Sequence, residues 1–245
     1  MRIVGLTGGI ACGKSTVSKI FRDEYKLPIV DADEIAHNVI NPGTGAYRKI
    51  LAAFGKEHDL FVKGEHSIDR KKLGGIVFRD EVARQKLVGI MNASIAWVIA
   101  KIILWHFLAG TSVLVLDVPL LFETGMHNIC HVTVAVNVSP ETQLSRLKAR
   151  DESGDEDAKT RIAAQKLSAN DKAERADIVL DNNKGEAELL EEISDKYEDI
   201  FHMSFMQTYF TGPVVYLAVG LSFIIGAGFL RFKVVRIDIA DDPEL

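Results

Sequence analysis

Cysteine is scarce in this chain: Cys12 and Cys130 are the two in 245 residues. Two thiols cannot form a disulfide framework, and no Cys/His cluster has metal-ligand spacing, so a reducing compartment fits better than an oxidising one. Proline is also sparse, with six residues, and no low-complexity linker or internal repeat interrupts the chain. Basic excess is missing as well. The 29 Lys and Arg face 34 Asp and Glu for a formal net charge of -5, which argues against nucleic acid as a partner, because affinity for a phosphate backbone comes mainly from a basic surface. An anionic ligand would have to be held locally.

What is present is apolar: 47% of the residues, enough at this length for one large α/β domain with a substantial core. The opening residues 1–6 are a short apolar run broken at once by Thr7-Gly8-Gly9, with no cleavage-like pattern of small residues, and read as a first buried strand rather than a signal peptide. Residues 207–230 are 24 consecutive positions without a formal charge. As a helix they would extend about 36 Å, against about 30 Å for a bilayer core, so a C-terminal transmembrane helix is expected there, followed by a short tail at 231–245. Such a late segment implies insertion as a tail anchor with the domain facing the cytosol. Arg231, Lys233 and Arg236 oppose that orientation by the positive-inside rule, but the start offers nothing to carry a nucleotide enzyme across. The basic flanks and the glycines of the span favour the mitochondrial outer membrane over the endoplasmic reticulum. A second run, Ile95 to Leu108, contains Lys101 and His106 and is expected to be a buried or amphipathic helix.

Between the ends, strands and helices alternate. Strands are expected over Arg2–Leu6, Leu27–Val30, Val113–Leu116, Val132–Val138 and Asp177–Leu180, and a first helix over Lys14–Glu24. Their Val- and Leu-rich composition suits a parallel sheet covered by helices on both faces. Two insertions depart from the alternation. Residues 34–110 are expected to form a helical subdomain, with loops near Gly64 and Gly74-Gly75. Residues 140–165 are strongly charged and read as either a solvated helix pair or a mobile lid. The fold expected for residues 1–206 is therefore α/β, a P-loop NTPase-type parallel sheet with a helical insertion and a lid.

The segment Gly8-Gly9-Ile10-Ala11-Cys12-Gly13-Lys14-Ser15 fits G-x-x-x-x-G-K-[ST] between a strand and a helix. Glycines let the backbone curl so that N–H groups face phosphate oxygens, and the helix N-terminus adds partial positive charge. Lys14 is then expected to reach the β- and γ-phosphates of ATP, with Ser15 and the neighbouring Thr16 at the start of the helix and Ser15 a ligand for Mg²⁺. Cys12 is read as a small filler rather than a redox switch. Guanine recognition is disfavoured: Asn183-Lys184-Gly185-Glu186 departs by one residue from N-K-x-D and reads as the start of an acidic helix. A compact P-loop domain with a side subdomain and an arginine-bearing lid suits a small-molecule kinase, since phosphoryl transfer needs water excluded and positive charge near the γ-phosphoryl. An acceptor hydroxyl needs a carboxylate to orient it and take its proton. Asp31 and Asp33 are candidates at the carboxyl end of the second strand, where open α/β sheets bind ligands, although Asp33 is also placed to cap a helix. Asp117, ending the third strand, is placed to support Mg²⁺ or its water.

Three segments in order, Gly5-Leu6-Thr7-Gly8-Gly9-Ile10 with Gly13-Lys14-Ser15-Thr16, Asp31-Ala32-Asp33 with Ile35-Ala36-His37, and Leu116-Asp117-Val118-Pro119-Leu120-Leu121-Phe122-Glu123, resemble the dephospho-CoA kinase family. Later segments around Gln143–Leu147, Arg150-Asp151, Asp157–Ile162, Ala164-Gln165 and Ala176–Asn182 are similar too, so the resemblance spans roughly residues 1–200. It implies transfer of the ATP γ-phosphoryl to the ribose 3′-hydroxyl of dephospho-CoA, the last step of coenzyme A biosynthesis. It also implies Asp33 as general base, Lys14 and Ser15 on triphosphate and Mg²⁺, Arg146 and Arg150 from the lid, and the helical insertion as the acceptor subdomain. Arg70 would touch the acceptor or form a surface ion pair. Asn92-Ala93 stands where the family usually carries His-Pro at the opening of an acceptor-lining helix. The hydrophobic tail is similar to that of animal-type relatives. The alternatives are a P-loop kinase for another nucleoside or small alcohol, and a non-catalytic nucleotide-binding membrane scaffold.

Overall fold

A strand that is apolar at successive positions can be stable only where both of its faces are covered. Val113–Asp117 meets that condition: all five residues are buried in the computed structural model, which describes residues 1–55, 60–61, 66–152 and 154–202. Five parallel strands form the sheet: β1 (Arg2–Gly8), β2 (Ile29–Asp31), β3 (Val113–Asp117), β4 (Val132–Asn137) and β5 (Ile178–Asp181), in the order β2-β3-β1-β4-β5. The register pairs Leu6 with Asp117 and Asp31 with Asp117, so the carboxyl ends of β1, β2 and β3 lie side by side. The second strand is shorter than expected. Leu27 lies outside the ladder, while the Pro28 carbonyl still accepts from Val115 N–H at 3.0 Å.

One sheet face is packed by α1 (Lys14–Asp23), α9 (Glu186–Asp195) and α10 (Tyr197–Phe201), which bury Val17, Ile20, Phe21, Leu189, Ile193 and Phe201 against Val4, Leu6, Val134 and Leu180. The other face buries Ile3, Val30, Leu114, Leu116 and Leu121 together with Ile99. Ile99 belongs to α5 (Glu81–Leu108), a helix of 28 residues, about 42 Å long. The amino half of α5 closes a separate cluster with α2 (Ala32–Asn38), α3 (Gly45–Phe54) and α4 (Arg70–Arg79), built on Val39, Ile50, Phe54, Leu60, Leu73 and Ala83. One long helix thus joins the insertion to the sheet, and Ile95 touches both cores. Aspartates set the starts of these helices: Asp31, Asp69 and Asp80 each accept two backbone N–H groups at α2, α4 and α5, satisfying donors that a helix leaves unpaired.

Two expectations are corrected here. Gly74 and Gly75 lie inside α4, not in a loop, because the Asp69 cap and the burial of Leu73 hold the helix through them. The Ile95–Leu108 run is buried on one side only, with Val98, Ile99, Ile102 and Ile103 inward; its outer face carries Trp97, Leu104, Trp105 and Leu108 with only Lys101 charged among them. Among the described residues, α5 alone has the length and apolar composition to cross a membrane. Its inner face is already taken by protein. The charged insertion is a helix pair, α6 (Pro140–Asp151) and α7 (Asp155–Ala163), as expected, followed by α8 (Ala169–Arg175). The expected transmembrane segment, 207–230, and the 231–245 tail lie outside the described residues.

A Cβ placed on Gly74 or Gly75 meets nothing within 4 Å. Gly74→Ala and Gly75→Ala are each expected to stabilise the fold by about 0.5–1 kcal/mol, seen as a higher midpoint in thermal unfolding; a lower midpoint for both would show that α4 does not run through them.

Candidate active site

The loop between β1 and α1 is shaped by backbone conformations that few residues adopt. Gly13 has φ 88° and Ala11 φ 58°, both left-handed, and no side chain caps α1, leaving the helix start available to an anion. A Cβ on Gly13 would lie 2.0 Å from Asn182 Nδ2, so glycine is required there by space as well as by φ.

Three amide side chains hold this loop from outside. Ile10 N–H donates to Gln165 Oε1 at 2.8 Å, Gln143 Nε2 donates to the Ile10 carbonyl at 2.8 Å, and Asn182 Nδ2 donates to the Cys12 carbonyl at 2.9 Å. Sequence reasoning assigned no role to these amides. The signal was faint: Gln143 opens a solvated-looking helix, and only its burial marks it. Cys12 is fully buried under the loop, and burial pushes its thiol up rather than acidifying it, as suits a filler.

Lys14 leaves the first turn of α1 and its ammonium meets Asp117 Oδ1 at the end of β3. Asp117 is buried, which holds its carboxyl above the ordinary range, while Lys14 and Ser18 pull the other way. A lysine ammonium has three donors, so this contact leaves two for a phosphate. Arg146, from α6, extends over the loop, with Nη1 3.6 Å from the position of a Cβ on Gly13. Ser15 is exposed at the start of α1, and Thr16 follows with its N–H on the Gly13 carbonyl at 3.0 Å. The turn after β3 is fixed beside the loop: Thr7 Oγ1 and Lys172 Nζ both donate to the Pro119 carbonyl, at 3.0 and 2.6 Å, and Lys172 pairs with buried Glu123 at 3.1 Å.

Lys14, Asp117 and Arg146 therefore converge on the loop with Gly8, Gly9 and Gly13. Arg150 is engaged elsewhere. Arg150 is bound to Asp151 at 2.8 Å and Arg161 joins the same carboxylate, so both guanidiniums serve the α6–α7 junction. The helix cap at α2 is Asp31, whose Oδ1 accepts from Asp33 and Glu34 N–H at 2.9 and 3.1 Å. Asp33 is thus released from capping, and its exposed carboxylate has no partner among the described residues. Arg70 donates to His37 Nδ1 and to the His37 carbonyl at 2.9 and 2.8 Å, neither ion pair nor free. His37 is one helical turn beyond Asp33, so Arg70 reaches the same face of α2. Asn92 and Ala93 continue α5 without a break. A cleft of about 780 Å³ lined by Asp31, Glu34, Asn38, Trp97 and Lys101 opens beside α2 and is lined by no residue of the phosphate loop. The Asn183–Glu186 segment only starts α9, with Asn183 Oδ1 accepting from Ser139 N–H at 2.8 Å.

A glycine loop, an uncapped helix start, a lysine and an arginine over one parallel-sheet edge define a P-loop phosphotransferase. The profile of the dephospho-CoA kinase family matches residues 2–188. The dephospho-CoA kinase of Saccharomyces cerevisiae is 45% identical over 202 residues, 82% of this chain and 83% of that protein. That of Oryza sativa is 45% identical over 204 residues, 82% of this chain and 83% of its own length. The solved dephospho-CoA kinase from Campylobacter jejuni superposes with a TM-score of 0.61 at 28% identity, covering 82% of this chain and 98% of that one. The chain belongs to the dephospho-CoA kinase family, whose enzymes carry out the last step of coenzyme A biosynthesis.

Gly13→Ala is expected to weaken ATP binding at least about tenfold, from the left-handed φ alone, measured by calorimetry on a variant with unchanged circular dichroism. Burial pushes the Cys130 thiol up to about 12, from 9.0 when free. The folded state therefore keeps a proton that the unfolded chain releases, and this thiol's contribution to stability, complete below pH 9, is lost as pH climbs towards 12. Alkylation of native protein by iodoacetamide at pH 8 should accordingly be slow at both cysteines and fast after unfolding; rapid native labelling would contradict the burial.

Proposed function

We propose that the enzyme transfers the γ-phosphoryl of ATP to the ribose 3′-hydroxyl of dephospho-CoA with Asp33 as the base, and the observation that carries this is the division of labour in Asp31-Ala32-Asp33. Asp31 takes the capping role, so Asp33 keeps a carboxylate with no partner among the described residues at the carboxyl end of the sheet, where it would accept a hydroxyl proton. Lys14 would contact the β- and γ-phosphates while retaining Asp117, and Arg146 would place a forked donor on the transferring group. The backbone from Gly8 to Ser15 would cradle the triphosphate. Arg150 would act through the lid, keeping the α6–α7 junction closed with Asp151. The face of α2 shared by Asp33 and Arg70 would receive the acceptor, with residues 34–110 as its subdomain.

The donor set fits Mg²⁺. Among the described residues no group of three or more His, Cys, Asp or Glu side chains converges, and Mg²⁺ bound with nucleotide needs only one or two protein oxygens beside the phosphates. The Ser15 hydroxyl and the Asp117 carboxylate, directly or through water, would hold it, and the ion would neutralise charge between the β- and γ-phosphates.

The proposal extends to location. The uncharged run 207–230 would anchor the enzyme with its kinase domain in the cytosol, and the basic residues Arg231, Lys233 and Arg236 beside a glycine-rich span support the mitochondrial outer membrane.

Asp33→Asn should lower turnover with dephospho-CoA about 10²–10⁴-fold and leave ATP affinity unchanged, in a coupled ADP-release assay beside calorimetry. Full turnover by the variant would remove Asp33 from the base role, and ADP release independent of dephospho-CoA would refute the acceptor.

A further inference from the structure

Two charged side chains are buried at the carboxyl edge of the sheet with no part assigned to them in holding the nucleotide or the acceptor. Lys172, in α8, has a side chain 3% exposed, and Glu123, in the turn after β3, one 6% exposed. The Lys172 ammonium lies 3.1 Å from Glu123 Oε1; beyond that contact the Glu123 oxygens accept no hydrogen bond among the described residues. Taking both ions out of water is costly, and such a pair is often no better for stability than apolar side chains of similar volume. What the pair holds in place accounts for it better than stability does.

It holds a peptide unit next to Asp117. The carbonyl of Pro119 is that residue's one hydrogen-bonding group, with two lone pairs, and both are taken: Thr7 Oγ1 at the end of β1 donates to it at 3.0 Å and Lys172 Nζ at 2.6 Å. Val118 N–H donates to the Leu6 carbonyl at 2.9 Å. The two residues after Asp117 are thus tied to β1 on one side and to α8 on the other, and Glu123, later in the same turn, keeps the ammonium at the carbonyl. Helix α8 itself rests on the phosphate loop. Ala169 packs with Cys12 and Val138, and a Cβ on Gly9 would lie 2.7 Å from the Ala169 Cβ. Lys172 follows Ala169 by three positions, so the two share a face of the helix. One face of α8 therefore meets both walls of the site, the loop that follows Gly8 and the turn that follows Asp117.

We infer that Glu123 and Lys172 are a positioning pair for Asp117: they lock the turn after β3 against the phosphate loop, so that the Asp117 carboxylate stays on the Lys14 ammonium. The inference rests on the part given to Asp117 under the proposed function. The turn has other supports, since Leu121 is fully buried and Thr124 Oγ1 donates to the Leu120 carbonyl at 2.7 Å. The fold should outlast loss of the pair, and the placement of Asp117 should not, because a misplacement of about 1 Å at a reacting group is enough to slow catalysis about a hundredfold.

Glu123→Leu combined with Lys172→Met removes the pair without leaving one ion buried alone. The expected result for the full-length doubly substituted enzyme is a thermal midpoint within about 3 °C of the unaltered one and a kcat lowered about 10–100-fold, with the KM for dephospho-CoA within about twofold. Calorimetric affinity for ATP with Mg²⁺ should weaken about tenfold. Because the pair acts through Asp117, the same two substitutions added to Asp117→Asn should weaken that affinity by no more than about twofold further. Unchanged kcat at an unchanged midpoint overturns the inference, and a midpoint that falls further assigns the pair to stability and overturns it too. A rise in KM with kcat preserved moves the pair to the acceptor side, and an equal loss of ATP affinity with and without the Asp117 carboxylate moves its action to the loop; either overturns it. Undiminished ATP binding and turnover by Asp117→Asn alone refutes the reading of Asp117 itself, and the inference falls with it.

Discussion

The backbone of one loop must be held in a curl that it would not keep alone, and most of the surrounding structure answers to that constraint. Residues 9–13 include two left-handed positions, at Ala11 and Gly13, and their carbonyls and N–H groups cannot all turn inward. Gln143, Gln165 and Asn182 take those that face outward. They come from three different places in the chain, the first turn of α6, the segment after α7 and the end of β5. The sheet order puts β1 between β3 and β4, which is what lets an amide from beyond β5 and an ion pair from β3 meet on opposite sides of the same loop.

How far the sequence revealed this depends on how local the physics is. The glycine pattern with Lys14 and Ser15 is a local signal, because spacing and chemistry occur in consecutive residues, and the strands were legible because runs such as Val113–Leu116 have no other stable location. Asp117 was legible as the charged end of such a run. The distinction between Asp31 and Asp33 was not, since either could cap a helix beginning within two residues; only backbone geometry shows that Asp31 accepts both N–H groups. Gly74-Gly75 misled because glycine in a solvent-exposed helix costs about 1 kcal/mol and suggests a turn, whereas Asp69 and Leu73 outweigh that cost. Arg150 was placed by likeness, and its local partner Asp151 decides its position instead.

The long helix shows the same limit from another side. Hydrophobic periodicity separates inward from outward residues only when the outward ones are polar. In α5 they are not, so the pattern could not distinguish burial from exposure at Trp97 or Trp105. Its two halves serve two cores, and the polar residues that usually mark a solvent face are confined mainly to the amino half, at Glu81, Arg84, Gln85 and Lys86. This helix joins the helical insertion to the sheet, packing in the cores of both.

Ile10 has a distinctive position in this arrangement. Its N–H and its carbonyl are each bound to a glutamine, one preceding and one following most of the α6–α7 pair. The arm bearing Arg146 is consequently stitched at both ends to one residue of the phosphate loop itself, so the loop and the α6–α7 pair share their anchoring bonds.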